Sequence, residues 1–313
     1  MQKSNIEWCD SVWNPVTGCS KVSAGCKNCY AETYAKRFWG ERKFTDVRRY
    51  ESKLDEPLRW KRPKRIFVNS MSDLFHEDVP SKFIADVFNT MACATRECRH
   101  NNIKYCTEEC WTGRPHTFLI LTKRPERMLR FINEDIHEII GNWPGDYAIN
   151  TAMDAGAWPL PNVWLGVSVE DQKTADERIP LLLQTPAAVR FLSAEPLLSE
   201  IDLNINSTPA SVRWINGLDW VICGGESGKS ARPMHPGWIR SLRDQCKQAN
   251  VPFFFKQWGE WLPFNQSNEN CENMISKNPI IFRDNCSTFF KLGKKKAGRL
   301  LDGIEHNKFS GGK

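Results

Sequence analysis

Short apolar runs of strand length recur along the chain at Arg65–Asn69, Thr117–Leu121, Asn162–Val167, Val189–Leu192, Asp219–Cys223 and Val251–Phe255. They do not alternate with polar residues, which predicts strands buried on both faces. Between several of them lie segments of helical period: Phe83, Ile84, Val87, Phe88 and Met91, opened by Pro80; Met128, Leu129, Ile132, Ile136, Ile139 and Ile140; and Trp238, Ile239, Leu242, Cys246 and Ala249. Strand–helix alternation over about 190 residues predicts an α/β fold with parallel strands and crossover helices, a complete or partial (β/α) barrel. The pattern lapses in residues 143–162, 203–217 and 265–313. A barrel domain is therefore expected over residues 1–262, with a cysteine-rich insertion at 93–116, and a C-terminal cap or tail over 263–313.

A fold of this kind places its chemistry in the loops that follow its strands. Those loops carry Ser70, Ser72 and Asp73; Lys123 and Arg124; Ser168 and Glu170; Ser193 and Glu195; Gly224, Gly225 and Glu226; and Lys256 with Trp258. Any one of these groups can be a turn or a helix cap. Six successive strand ends bearing hydroxyl or ionisable groups predict a binding mouth.

The cysteines narrow the chemistry. Cys19, Cys26 and Cys29, spaced C-x6-C-x2-C in a loop with Gly18 and Gly25, directly precede a helical run from Tyr30 to Trp39. Three thiolates so close repel one another unless a cation or a cluster lies between them. A closed zinc site or an ordinary electron-transfer cluster takes four protein ligands, so three cysteines read as an iron–sulfur site with one open position. Cys9 as a fourth ligand would close it, and plain buried thiols are the bland alternative. A second group, Cys93, Cys98, Cys106 and Cys110, has enough ligands for a structural zinc, with an auxiliary cluster or free thiols as the other readings. His100 and His116 are expected to be bystanders.

Of twelve cysteines in 313 residues, eight fall in these two groups once Cys9 is counted, which fits metal binding in a reducing cytoplasm better than a disulfide framework. No apolar run has the length of a signal core or a membrane span, so a soluble cytoplasmic protein with no membrane partner is expected. The net charge of +6 is uneven: residues 1–65 hold fifteen Lys and Arg against eight Asp and Glu. Its densest run, Arg59-Trp60-Lys61-Arg62-Pro63-Lys64-Arg65, can hold a polyanion through phosphate contacts and stacking, or can be a solvated loop.

The segments NPVTGCSKVSAGCKNCYAE, FVNSMSDLFHE, LTKRPER, WLGVSVED, RFLSAEPLL, GGESG and FFFKQWGEW lie between Trp8 and Trp258. Together with the tail from Lys294 to Gly303 they resemble phage-encoded three-cysteine-motif proteins, which are similar in turn to radical SAM enzymes of the spore photoproduct lyase type. The resemblance implies a [4Fe-4S] cluster on Cys19, Cys26 and Cys29, with S-adenosylmethionine on its open iron and an external electron donor. It further implies reductive cleavage of the cofactor and action on a nucleic acid or nucleotide in repair or modification.

Gly224-Gly225-Glu226 looks like the family's Gly-Gly-Glu element, with Glu226 accepting from the cofactor's ammonium. The chain departs from the commoner C-x3-C-x2-C spacing, and this element comes late. Ser70, Ser72 and Asp73 hold the early position and compete for the role. Ser168, Glu170 and Glu195 are candidates for the sulfonium end, the ribose or substrate, and Lys123, Arg124 and Lys256 for a phosphate or carboxylate. Tyr30 is expected to pack over the cluster. Cys223 reads either as a hydrogen donor to a substrate radical or as a small buried hydrophobe, and His76 as an acid–base group or a helix cap.

A phosphate-binding loop at Gly225–Ser230 is disfavoured because position 223, where its first glycine would stand, is Cys223, and a zinc deaminase is discarded because Gly25, not proline, precedes Cys26 and no histidine precedes it nearby. The rival from another class is a metal-stabilised nucleic-acid-binding protein without catalysis. A protein partner besides the electron donor is left open.

Overall fold

The computed structural model describes residues 6–94, 116–142, 148–154, 156–206, 213–267, 281–283 and 287–311. Its main sheet has seven strands: β1 (Ser11–Trp13), β2 (Arg65–Val68), β3 (Thr117–Thr122), β4 (Val163–Ser168), β5 (Val189–Ala194), β6 (Trp220–Gly224) and β7 (Phe253–Gln257). They are hydrogen-bonded in chain order, and their pairings are parallel. A doubly wound sheet would reverse direction at a switch point; an unbroken sequential order is the winding of a (β/α) barrel. The fold is α/β, and of the two expected forms it is the partial barrel, with β1 and β7 as the end strands. Six strands match the apolar runs to within about two residues, the usual spread of element boundaries. β1 went unread because three residues are too few to carry a periodicity.

Among the described residues the α-helices are α1 (Tyr30–Phe38), α2 (Ser81–Cys93), α3 (Pro125–Arg130), α4 (Ile136–Asn142), α5 (Ala148–Asp154), α6 (Gln172–Gln184), α7 (Pro236–Gln248) and α8 (Lys294–Ala297). Pro80 caps α2 from outside, and α3 continues into α4 through a π-helical stretch, Phe131–Asp135. α6 holds Pro180 in its interior, a residue that reads as a helix stop in sequence. No helix among the described residues is long and apolar enough to cross a membrane.

The chain forms two compact units interleaved in sequence. The first comprises Met1–Ser20, Tyr34–Val167 and Leu181–Arg190; the second comprises Lys21–Thr33, Ser168–Pro180 and Phe191–Lys313. In the first, Trp13 packs on Phe118 with ring centroids 5.8 Å apart, and Phe131 meets Phe88 at 5.4 Å. His116, buried, fastens the basic run: its Nδ1 accepts from the Lys64 N–H, and its Nε2 lies 3.2 Å from the Pro57 carbonyl. Lys64 reaches Ser11 Oγ and Arg65 pairs with Asp10, so those two cations serve the fold. Arg59, Lys61 and Arg62 remain exposed.

In the second unit Trp220 is the hub. It lies against Phe191, Phe254 and Phe309, and its Nε1 donates to the Lys308 carbonyl. Phe255 N–H bonds the His306 carbonyl, so the C-terminal segment covers the edge of β7. An antiparallel sheet of β8 (Trp261–Pro263), β9 (Ile281–Arg283) and β10 (Thr288–Lys291), with β10 in the middle, begins at the end of the expected barrel domain and continues into the expected cap or tail. Cys93 is buried at the end of α2; Cys98, Cys106, Cys110 and His100 lie outside the described residues.

β6 and β7 shift register between Cys223 and Gly224, and Gly225 comes so close to β7's continuation that a Cβ would stand 2.0 Å from the Trp258 carbonyl oxygen. Gly225→Ala is therefore expected to lower the unfolding free energy by about 3 kcal/mol in a urea titration. Gly141→Ala, in α4 with nothing within 4 Å of the added carbon, should raise it by about 0.5–1 kcal/mol.

Candidate functional site

Two clusters of polar side chains sit at the C-terminal ends of the strands, one in each unit. In the first unit the loop after β2 delivers Asp73, a buried carboxylate. It accepts from Thr122 Oγ1 at 2.8 and 3.0 Å, from the Lys123 and Phe75 N–H groups at 3.0 Å each, and from Arg124 at 3.3 Å. Thr122 and Arg124 come from the end of β3, so Asp73 ties two adjacent strand ends together.

Arg124 then fans out. Its Nε donates to Glu77 at 2.9 Å and its Nη2 to Ser20 Oγ at 2.7 Å, while Nη1 points at the Cys19 sulfur from 3.7 Å. Burial opposes its charge, but Asp73, Cys19 and Glu77 outweigh burial and raise its pKa, so the guanidinium is permanently cationic beside that thiol. Such a neighbour favours thiolate over thiol.

His76 completes the cluster. It is buried, its Nδ1 accepts from the Asp78 N–H at 3.2 Å, and its Nε2 therefore carries the proton toward Ser20 Oγ at 2.9 Å. Burial, then the charge of Arg124, push its pKa below the ordinary value, with Glu77, Asp78 and Asp73 pulling back only in part. Burial also works against the Glu77 carboxylate, yet its own backbone N–H and Arg124 hold that group down to about 2. Ser70 and Ser72 face another way: Ser70 Oγ donates to Asn14 and Ser72 Oγ to the Val16 carbonyl, fixing the chain after β1.

In the second unit two buried carboxylates shape the cysteine loop. Glu170, fully buried, pairs with Arg178 at 3.2 Å and accepts from Ser23 Oγ at 2.8 Å. A Cβ on Gly25 would stand 2.4 Å from the Glu170 Cγ and 2.5 Å from its Oε1, so only glycine lets the loop lie on that side chain. Glu226 accepts from Asn28 Nδ2 at 3.0 Å and from Arg232 through its N–H, Nε and Nη2. Arg232 also donates to the Ala24 carbonyl at 3.1 Å. Burial opposes ionisation of Glu226, but these donors win and lower its pKa. Both oxygens of the residue expected to receive a cofactor ammonium are thus engaged, Oε2 by Asn28 and Arg232 and Oε1 by Arg232.

The thiols differ by position. Cys19, Cys26 and Cys29 are half-buried, whereas Cys9, Cys93, Cys223 and Cys246 are buried. Cys29 precedes α1, whose Ala31 and Glu32 N–H groups donate to its sulfur; burial nevertheless raises its pKa, with the Cys26 charge adding to the rise. Burial, then Glu195 and Cys246, raise the Cys223 thiol, and burial pushes Cys246 up to about 12. Tyr30 is exposed. Among the described residues no three His, Cys, Asp or Glu side chains are gathered closely enough to hold a metal ion.

At the ends of β5–β7, Glu195 pairs with Lys256 at 3.0 Å and lies over Gly224, where a Cβ would meet its Oε1 at 2.9 Å. That Oε1, Ser193 Oγ and Gln257 Oε1 are buried without a hydrogen-bond partner. Gly225 serves packing against Trp258, which is itself buried, and Ser168 Oγ donates to the Glu195 carbonyl at 3.2 Å.

Sequence reasoning singled out Glu170 and Glu226 but missed their partners Ser23, Asn28, Arg178 and Arg232, and missed Ser20 beside Arg124 and His76. Arg178 stands two helical turns beyond Glu170 and Arg232 six residues beyond Glu226, spacings that a search for cations near each acid would have caught.

Because His76 is held neutral, the folded chain binds fewer protons there than the unfolded chain. Its stabilisation is complete above the unfolded pKa near 6.5 and is lost as pH falls below it; Glu77 adds a second loss from about 4.5 down toward 2. His76→Gln should remove up to about 1.4 kcal/mol per pH unit from the slope of stability below pH 6.5, measured by denaturant titration at several pH values.

The family described as "Protein of unknown function (DUF5131)" matches residues 3–310. No curated protein matches the chain. Among solved structures the chain is similar to a cysteine-to-alanine mutant of spore photoproduct lyase with a dinucleoside spore photoproduct. The identity is 9%, over 90% of this chain and 68% of the other, with a TM-score of 0.37. A likeness that faint says nothing of chemistry.

Proposed function

The chain belongs to the DUF5131 family, whose description assigns no activity, and on that premise we propose that it is a radical SAM-type iron–sulfur enzyme acting on a nucleic acid or nucleotide. The observation that carries this reading is the contrast among the cysteines. Four described thiols are buried, while Cys19, Cys26 and Cys29 are half-buried, the last two in a loop that the Glu170–Arg178 and Glu226–Arg232 pairs hold in shape.

The donor chemistry fits a cluster: Cys19 has the Arg124 cation at its sulfur, Cys29 has helix N–H groups, and Cys26 has Ser23 Oγ at 3.9 Å. Cys19, Cys26 and Cys29 would hold a [4Fe-4S] cluster, which when bound would offer S-adenosylmethionine an iron free of protein side chains and an electron for its sulfonium.

The chain's own residues have separate tasks. Glu170 and Glu226 fix the loop through Ser23, Gly25 and Asn28, their charges offset by Arg178 and Arg232. Glu195 Oε1 offers a buried acceptor that a ligand N–H or O–H would satisfy, since leaving it unpaired costs about 1–3 kcal/mol. Cys223 keeps its proton at neutral pH, the state a hydrogen donor requires. Asp73, Arg124 and His76 form a closed network that positions Cys19.

After anaerobic reconstitution the protein should be brown, hold about four irons per chain, and release 5′-deoxyadenosine from S-adenosylmethionine on reduction. Cys26→Ala should abolish both colour and product. A colourless protein carrying zinc alone would contradict the reading and favour a metal-stabilised nucleic-acid binder.

A further inference from the structure

Helix α1 has its amphipathicity inverted. It buries the small residues Ala31 and Ala35 and leaves Tyr34 and Phe38 at 47% and 58% exposure. An amphipathic surface helix ordinarily turns its large apolar side chains to the core. Here two rings one turn apart stand in solvent with centroids 4.5 Å from each other. Arg37 lies over the Phe38 ring at 5.2 Å, and in the next turn of chain Arg42 lies over Trp39 at 4.1 Å.

The second stack is locked in place. Arg42 donates to Thr17 Oγ1 and carbonyl at 3.0 Å each and to Tyr50 Oη at 3.2 Å. Residues 34–50 carry six Lys and Arg against two Asp and Glu, and Lys36, Arg37, Lys43 and Arg49 are exposed.

We infer that the exposed rings of Tyr34 and Phe38, with the exposed Arg37 and the half-buried Trp39–Arg42 stack beside them, form a stacking platform for single-stranded nucleic acid. The inference rests on the nucleic-acid part of the proposed function and specifies its form. Base faces stack on rings and guanidinium planes, and phosphates take the surrounding cations, so a single strand uses both features of this surface. A duplex hides its base faces. An acidic protein would use the cations but would have to cover the rings with apolar side chains.

The test measures binding of a fluorescent oligothymidylate, its duplex with oligoadenylate, and flavodoxin as an acidic redox protein, to the reconstituted full chain by anisotropy over a salt series. Tyr34→Ala/Phe38→Ala should weaken the single strand about ten- to a hundredfold with little change in salt slope. Arg37→Gln should lower that slope by about 0.7. Tyr34→Phe, which keeps the ring, should bind like the parent.

Unchanged single-strand affinity in the double variant overturns the inference, as does an equal loss on the duplex, or a loss confined to flavodoxin. Release of 5′-deoxyadenosine without oligonucleotide is followed in the same samples. Cleavage without strand binding removes the platform and leaves the enzyme; strand binding that depends on the rings without cleavage does the reverse.

Discussion

The contact on which the rest depends is that between the Gly25 backbone and the Glu170 carboxylate. A fully buried acid is costly unless paired, and Glu170 is paired twice, by Arg178 and by the Ser23 hydroxyl. The cysteine loop lies across it with no room for a side chain at position 25. Glu226 repeats the device from β6, through Asn28 and, by way of Arg232, Ala24. Two ion pairs thus fix a loop that has little apolar surface of its own and leave its thiols accessible.

This arrangement follows from where a sequentially wound parallel sheet places its loops. Glu170 follows β4, Glu195 follows β5, Glu226 follows β6 and Lys256 lies near the end of β7. In the first unit the same topology sets Asp73 after β2 beside Thr122 and Arg124 of β3, which carries a cation to Cys19. Packing handles the opposite demand. Trp220 and the C-terminal segment seal the sheet, and Gly225 admits the close approach of β6 to the chain after β7.

Much of this was legible from residue order. Six strands and the three periodic helices announced themselves because each buries a run or a stripe of apolar side chains. β1, α5 and α6 did not: one is too short, one sits in a stretch rich in Pro, Gly and Ala, and one contains Pro180. At the site, spacing marked the three cysteines as candidates, and their place after the strands marked the acids. It could not assign Glu226 its partners, because the same carboxylate reads as a cofactor acceptor until Arg232 and Asn28 are seen to occupy both oxygens. Ser23 and Asn28 were invisible for a related reason: a small polar residue in a loop gains its role only from the buried acid it meets.

We propose that the loop's shape, set by a glycine resting on a buried carboxylate, readies its thiols to take up iron. Anaerobic reconstitution of Gly25→Ala, with iron content and the reduced-state paramagnetic resonance spectrum read beside thermal unfolding, tests it most directly. The variant is expected to fold with a lowered unfolding temperature, and at a temperature where it stays folded to take up little iron and show no cluster signal. A Gly25→Ala protein with the parent's full iron and an unaltered spectrum would contradict it.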